Sequence, residues 1–239
     1  MKKTPIKTIL TLFLIFLCGI FLSACGKKKT DTTASPSPAP KLIEMEIDQK
    51  PYISLIPRAD GHELTLRINH IPENITQIEY ELIYTAVDGT IEMEKGVGDT
   101  LKVESTLITK NLLLGTASCT NTCKYKYDEG VTGGILSLIF INSTGQMSTY
   151  ETDFVLSSST QINQNKNISL PKFAINATAN AGQYFVLLQN YGMPNSSTLA
   201  DKIYSVFASG NGAGSITSIS PDSTIKENLK TLSGDYLLN

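Results

Sequence analysis

Between Gln77 and Lys95 the chain reads Q-I-E-Y-E-L-I-Y-T-A-V-D-G-T-I-E-M-E-K, and the fold is decided there. Ile78, Tyr80, Leu82 and Tyr84 alternate with Gln77, Glu79, Glu81 and Ile83. A period of two puts the first set on one side of a strand and the second on the other. Asp88-Gly89 is a two-residue hairpin signal. Pairing Val87 with Thr90 sets Ala86 beside Ile91 and Tyr84 beside Met93, all on the apolar side. Strand pattern and turn chemistry therefore agree on a β-hairpin.

The same alternation extends outward. In His62–Ile71, Leu64, Leu66 and Ile68 face one way while Glu63, Thr65, Arg67 and Asn69 face the other. Ile135–Ile141 (I-L-S-L-I-F-I) is apolar on both sides, which predicts a central strand. It returns through Asn142-Ser143-Thr144-Gly145 into a strand over Tyr150–Leu156. Short strands spaced by turns resemble an immunoglobulin-like or fibronectin type III-like β-sandwich. The resemblance lies in Tyr52–Thr85 and Val131–Leu156 and is one of pattern. The chain has no tryptophan, and Cys119 and Cys123 are too close to be the inter-sheet bridge of antibody domains. It implies an architecture and names no function.

Ser157–Asn167 (S-S-S-T-Q-I-N-Q-N-K-N) is a polar bridge, and charge changes across it. Residues 42–160 hold seventeen acids and eight bases, a net −9, whereas 161–239 hold four and five, a net +1. The expected organisation is all-β: an immunoglobulin-like sandwich over 42–160 and a second, smaller β-rich domain over 161–239. Strands are expected over Lys172–Ala177, Gln183–Gln189, Lys202–Ala208 and Ser215–Ile219, with a hairpin at Ser233-Gly234. Two stretches also fit a helical stripe: Leu199, Ile203, Val206 and Phe207, and Ile225, Leu229 and Leu232 behind Pro221. Tyr204 and Val206 on the opposite side favour a buried strand for the first, and a strand is the expectation for both.

The N-terminus carries a different signal. Lys2, Lys3 and Lys7 precede an apolar run, Ile9–Leu22, broken by Thr11 and Gly19, and Leu22-Ser23-Ala24-Cys25 follows. The L-S-A-C box resembles the lipobox of bacterial lipoproteins. The resemblance implies a signal peptide over 1–24, cleavage before Cys25, and a diacylglyceryl group on its thiol. An uncleaved helix is one alternative, since Ile6–Ala24 is just long enough to span a bilayer of ~30 Å, and an ordinary signal peptide is the other. Lys27, Lys28 and Lys29 would sit at the headgroups, or serve as a plain solubilising run. Thr30–Pro40 (T-D-T-T-A-S-P-S-P-A-P) completes a linker over 25–41. At ~3.1 Å per residue in polyproline conformation, it reaches roughly 50 Å. The order anchor, spacer, sandwich also resembles lipid-anchored bacterial surface proteins built from repeated sandwiches.

Cys18 falls in the signal and Cys25 takes lipid, which leaves Cys119 and Cys123 as an even pair. In an oxidising compartment their C-x3-C spacing predicts a disulfide closing Thr120-Asn121-Thr122. Free thiols are the alternative. A structural zinc site takes about four ligands, and His62 and His70 stand about 27 Å apart on an extended strand. No metal and no cofactor is therefore expected.

No G-x-S-x-G, H-E-x-x-H or Walker loop is present, and neither histidine neighbours a nucleophile motif. No catalytic residue is expected, and His62 and His70 read as partly exposed structural residues. Gly210, Gly212 and Gly214 form a G-x-G-x-G stretch, but the β-branched S-I-T-S-I that follows predicts a strand, so a phosphate cradle is not expected. Glu79, Glu81, Glu92 and Glu94 should share the outward face of the Asp88-Gly89 hairpin, a solvated face that discourages edge pairing, or else a site for a cation. The mature chain nets −5 with two arginines, which argues against nucleic acid.

The segment Lys110–Gly130 is long and stapled, and loops held on a rigid scaffold carry binding. Tyr125, Tyr127, Asp128 and Glu129 are its candidate binding residues. The expectation is a non-catalytic protein on the extracytoplasmic side of the cell membrane or outer membrane, held by lipid at Cys25. It would bind a protein or glycan, adhere, or serve as structure. An accessory of an envelope enzyme, or a carbohydrate-binding lipoprotein, is the alternative.

Overall fold

The computed structural model describes residues 41–194, 200–220, 224–226 and 231–238. Cys25, the signal sequence and the linker up to Pro40 lie outside the described residues, as do Leu199, Pro221 and Leu229 of the two helical stripes. The fold is predominantly β, and Pro40–Asn239 form one compact unit. The first strands are β1 Tyr52–Pro57, β2 Glu63–Asn69, β3 Ile75–Asp88, β4 Ile91–Lys102 and β5 Leu107–Leu113. A ribbon follows, β6 Gly115–Cys119 and β7 Cys123–Tyr127, and then the long pair β8 Gly133–Asn142 and β9 Met147–Ser158. A short helix, α1 Ser159–Asn165, leads to β10 Asn167–Leu170, β11 Phe173–Ala179 and β12 Tyr184–Gln189. The chain ends with β13 Lys202–Ala208, β14 Gly214–Ser220, β15 Thr224–Lys226 and β16 Gly234–Leu238.

Eight strands form one antiparallel sheet in the order β15-β16-β13-β12-β9-β8-β3-β4. Two three-stranded sheets, β1-β2-β5 and β10-β11-β14, cover it on opposite faces. The alternation of side chains along each strand fixes the faces. Phe154 and Leu156 of β9, with Val186 and Leu188 of β12, enter the core under β1-β2-β5 alongside Leu82, Leu138 and Phe140. Phe185 and Leu187, one position out of phase, enter the core under β10-β11-β14 with Phe173, Ile175, Tyr204 and Tyr236. β9 and β12 thus serve two cores, one on each face.

The division expected at residues 160/161 consequently does not separate two sheets. β9 pairs with β12 across it, Val155 opposite Leu187 and Ser157 opposite Phe185. The polar run there is no linker. Ser158 caps α1: its hydroxyl accepts from the Gln161 N–H at 3.2 Å, and Gln161 Oε1 accepts from the Ser158 N–H at 2.7 Å. That reciprocal pair is a capping box, and Ile162 beneath it is fully buried.

Three other expectations are corrected. In the β3–β4 hairpin Asp88 pairs with Ile91, Ala86 with Met93 and Tyr84 with Lys95. Gly89, at φ +66°, takes the first central position of the turn, so Asp88 joins the ladder and the partners shift. The faces survive, but Ile91 (64 % exposed) and Met93 lie beyond the covering sheet. Second, β8 is central, between β3 and β9, yet one face alone is covered: Leu136, Leu138 and Phe140 are fully buried while Ile135 is exposed. Third, Ser233-Gly234 is not a hairpin tip. β16 starts at Gly234 and pairs with β13 and β15, Ile225 opposite Leu237. The expected strands of the second half otherwise form, Lys202–Ala208 with the same bounds, and a strand follows the glycine stretch at 210–214.

A buried polar chain joins β1 to the long sheet. The Asn190 side chain accepts from the Ile53 N–H at 2.9 Å and donates to the Ile53 carbonyl at 2.8 Å. It also donates to Ser205 Oγ, which in turn donates to Asp235, and Tyr52 donates to the same carboxylate. An amide side chain here replaces a strand neighbour and satisfies backbone groups that burial would otherwise strand.

Candidate functional site

Among the described residues β6 and β7 pair only with each other. The ladder runs from Gly115 opposite Tyr127 to Cys119 opposite Cys123, where a disulfide closes the tip. Thr116–Lys126 are all exposed, so this ribbon buries neither face. It contains Lys124 and Lys126 and no acid, on a chain that is acidic elsewhere in residues 42–160.

The ribbon leaves the body beside β2. Glu63 pairs with Leu113, and the Leu114 N–H donates to the His62 carbonyl at 3.0 Å. That register brings His62 against the ribbon's base, where its ring stacks on Tyr127 at 4.4 Å between centroids and 9° between planes. Tyr125 continues the series, near parallel to Tyr127 at 6.1 Å, and is 55 % exposed. Opposite Tyr127 and Tyr125 across the ladder stand Gly115 and Ala117, which leave the rings uncovered by neighbours of their own size.

Arg58 lies 5.4 Å from the Tyr127 ring centre, in cation–π range. A fork to Asp60 fixes it: Nε donates to Oδ1 at 2.7 Å and Nη2 to Oδ2 at 2.8 Å, with Glu63 at 3.4 Å. The Asp60 carboxyl is lowered to about 2, chiefly by these hydrogen bonds. Arg58 is raised in turn, first by the same hydrogen bond. Asp60 Oδ1 also accepts from the His62 backbone N–H at 3.1 Å, so one carboxylate holds both the guanidinium and the His62 backbone.

The four expected binding residues divide. Tyr125, exposed, and Tyr127, half-buried against His62, share one face of the ribbon. Asp128 is buried, accepts from Tyr84 Oη at 2.8 Å and pairs with Lys95 Nζ, while its N–H donates to the Leu114 carbonyl at 3.0 Å. It anchors the ribbon and offers a ligand nothing. Burial, and then this carboxylate, raise the Tyr84 phenol. The Glu129 side chain is exposed, and its carbonyl accepts from the Val87 N–H at 2.8 Å, which ties the ribbon's return to β3.

Arg58 carries no local sequence signal for this site, and His62, expected as a structural residue, stacks on Tyr127. Both stand more than sixty residues before Tyr125, and nothing local joins them. The β2–β5 register alone brings them together. His70 is exposed at φ +57° and takes no part. Glu79, Glu81, Glu92 and Glu94 do share one face, in register with Thr100, Gly98, Val87 and Thr85 respectively. Among the described residues no group of three or more His, Cys, Asp or Glu side chains is placed to hold a metal, and no helix is long and apolar enough to cross a membrane. No family model, no curated protein and no solved structure matches the chain.

Proposed function

We propose that this chain is a non-catalytic binding protein of the cell envelope, moored by lipid at Cys25, with the β6–β7 ribbon as its contact element. The observation that carries the reading is the Tyr125–Tyr127–His62 series on a ribbon solvated on both faces. An isolated two-stranded hairpin is marginal in water, and this one is stapled at its tip and pinned at its base without gaining a core. Rigid aromatics with few rotors lose little entropy on contact and are favoured at interfaces. The strand orders β1-β2-β5 and β9-β8-β3-β4 support an immunoglobulin-like reading of residues 52–158. Such a body would act as a stiff support between spacer and ribbon.

Binding of the full chain, in detergent, to isolated cell envelopes tests this. Tyr125→Ala and Tyr127→Ala should each weaken binding about tenfold, as an interface aromatic does, with the circular dichroism spectrum unchanged. Undiminished binding by both variants would refute the ribbon as the contact element. Mooring is tested separately by mass and fractionation. The wild-type chain should begin at Cys25 with an acyl mass, and Cys25→Ser should release it from membranes.

The open ring of Tyr125 favours a second reading, carbohydrate binding, because sugar rings stack on exposed aromatic faces. A glycan array separates the two. Saturable signal lost in Tyr125→Ala supports the sugar reading, and a blank array with envelope binding intact supports a protein partner.

A further inference from the structure

Among the described residues the long sheet has a gap one strand wide between β9 and β13. β12 stops at Gln189, where the Asn190 N–H turns to the Ile203 carbonyl at 2.7 Å. β9 runs on beyond its last β12 partner, Phe154, back to Met147. A cleft of about 400 Å³ occupies the space between them, within the size range of ligand sites.

Four consecutive β9 residues, Tyr150 to Asp153, line it. Neighbouring residues on a strand point to opposite faces, so all four can line one cleft only if the strand's edge is its wall. The hydrogen-bonding phase of β9 agrees. The Gln146 carbonyl bonds the Asn142 N–H, which directs even-numbered residues to β8. Odd-numbered residues point the other way. Met147 exchanges bonds with Lys41 and Ile43 at 3.0 and 2.8 Å, and the Ser159 N–H reaches Gln183 at 2.8 Å. Between these fastenings the N–H and C=O groups of Thr149 and Glu151 have no backbone partner among the described residues.

The two sides of the gap differ. Toward the core under β1-β2-β5 stand Tyr150, Tyr191 and Ile203; toward the other face stand Glu151, Asp153, Lys172 and Lys202. None of these four charged groups has an ion-pair partner within 4.0 Å among the described residues. An extended chain laid in the gap would meet an apolar wall on one side and both signs of charge on the other. Its backbone would meet the unpaired groups of β9.

We propose that this cleft binds an extended peptide, which adds as a strand to the free edge of β9 and alternates apolar with charged side chains. The site lies apart from the ribbon and does not depend on the ribbon's role.

The test uses the full chain in detergent and the fluorescein-labelled pentapeptide Lys-Val-Glu-Val-Lys, read by anisotropy. Saturable binding is expected. An added strand uses alternate N–H groups, so N-methylation of either the two valines or the glutamate and last lysine should weaken binding at least about tenfold, and the other phase should not. Hydrogen exchange at Thr149 and Glu151 should be fast in the free chain and slow with peptide. Glu151→Pro removes a cleft-facing N–H and no β8 bond, and should also cost about tenfold. Lys102→Ala, at an exposed position of β4, should leave the affinity unchanged. Absence of saturable binding, equal binding of both methylated peptides, or exchange at the two amides unmoved by peptide would overturn the proposal. Slow exchange there in the free chain would overturn it too, because the chain itself would then complete the strand.

Discussion

The β3–β4 hairpin and the β6–β7 ribbon are both strand pairs that reverse sharply at one end, and they are held in opposite ways. β3 lies on β8 and turns Ile78, Leu82 and Tyr84 into a core, so burial fixes the hairpin. Among the described residues the ribbon has no third strand, and it buries neither face. Its hold comes from points: the disulfide at the tip, Asp128 at the base, and His62 on Tyr127. Burial is a distributed restraint, which many residues share. Point fastenings concentrate it, so single substitutions should separate the two arms.

The largest effect belongs to the core. Phe140 is fully buried on β8 beside β3 and stacks near Tyr191 at 5.7 Å. Phe140→Ala should cost about 3–5 kcal/mol from lost transfer and a residual cavity. In urea, the unfolding midpoint should fall with its slope kept, and the Cys119–Cys123 bridge should still form in the folded fraction. A loss under about 1 kcal/mol would mean that burial does not carry this half of the long sheet.

Asp128→Ala comes next. It would leave Tyr84 Oη and Lys95 Nζ without their carboxylate, and bonds to charged groups are worth about 1.5–3 kcal/mol. Asp128 belongs to the ribbon's exit, Tyr84 to β3 and Lys95 to β4, so this residue couples the two arms being compared. The variant should lower global stability by about 2 kcal/mol and speed amide exchange across Thr116–Lys126. Asp128→Asn, which can still accept from Tyr84, should recover part of the loss. If exchange in the ribbon does not change, the ribbon is fastened elsewhere.

How far the sequence anticipates these structures follows the range of the interactions. Period-two alternation is local, and it places β2, β3, β8, β9 and β11 to β14 with both faces of β3. It does not place β5, the ribbon strands β6 and β7, or β10, which fall in stretches that read as loop or polar bridge. The hairpin partners slipped because Asp88-Gly89 fits two registers, and the positive φ of Gly89 selects the one with Asp88 in the ladder. Ser158 and Gln161 spell a capping box that was readable, yet the polarity of the run around it suggested a bridge. Ile135–Ile141 shows the converse: apolar residues on both faces invited two covers, and β1-β2-β5 supplies one. The ribbon's disulfide was legible from spacing and its tyrosines from composition. Arg58 and His62 were not, because they reach Tyr127 through the pairing of Glu63 with Leu113, fifty residues apart. The gap beside β9 was invisible for a related reason. It depends on where β12 stops relative to a partner strand, which no window of sequence contains.

The disulfide should matter less than Asp128 for the whole and more for the tip. Closing so short a ring removes about 2 kcal/mol of unfolded-chain entropy at most on the loop-closure account. Cys119→Ala with Cys123→Ala should lower the unfolding free energy by no more than that. Exchange should rise steeply toward Thr120–Thr122 while Tyr127, against His62, stays protected. Fraying that reaches Tyr127 would show that the tip holds the base and not the reverse.

The smallest effect concerns pH at the base. Asp60 titrates at about 2, held down first by its bonds from Arg58, against about 3.9 for a free aspartate. A folded value below the unfolded one means the contribution is fully present above about pH 3.9 and is lost as pH falls through about 2. Asp60 is half exposed, so solvent screens the pair and the change in overall stability should be slight. Its local mark should be clear. As the carboxylate is protonated, Arg58 loses its fork and leaves the Tyr127 ring, so the Tyr127 ring resonances should move in step with the Asp60 carboxyl carbon. Arg58→Lys cannot reproduce the planar two-point contact, and should bring that midpoint back toward 3.9. If the wild-type midpoint already lies there, the fork does not form in solution, and the guanidinium is not held beside the aromatic series.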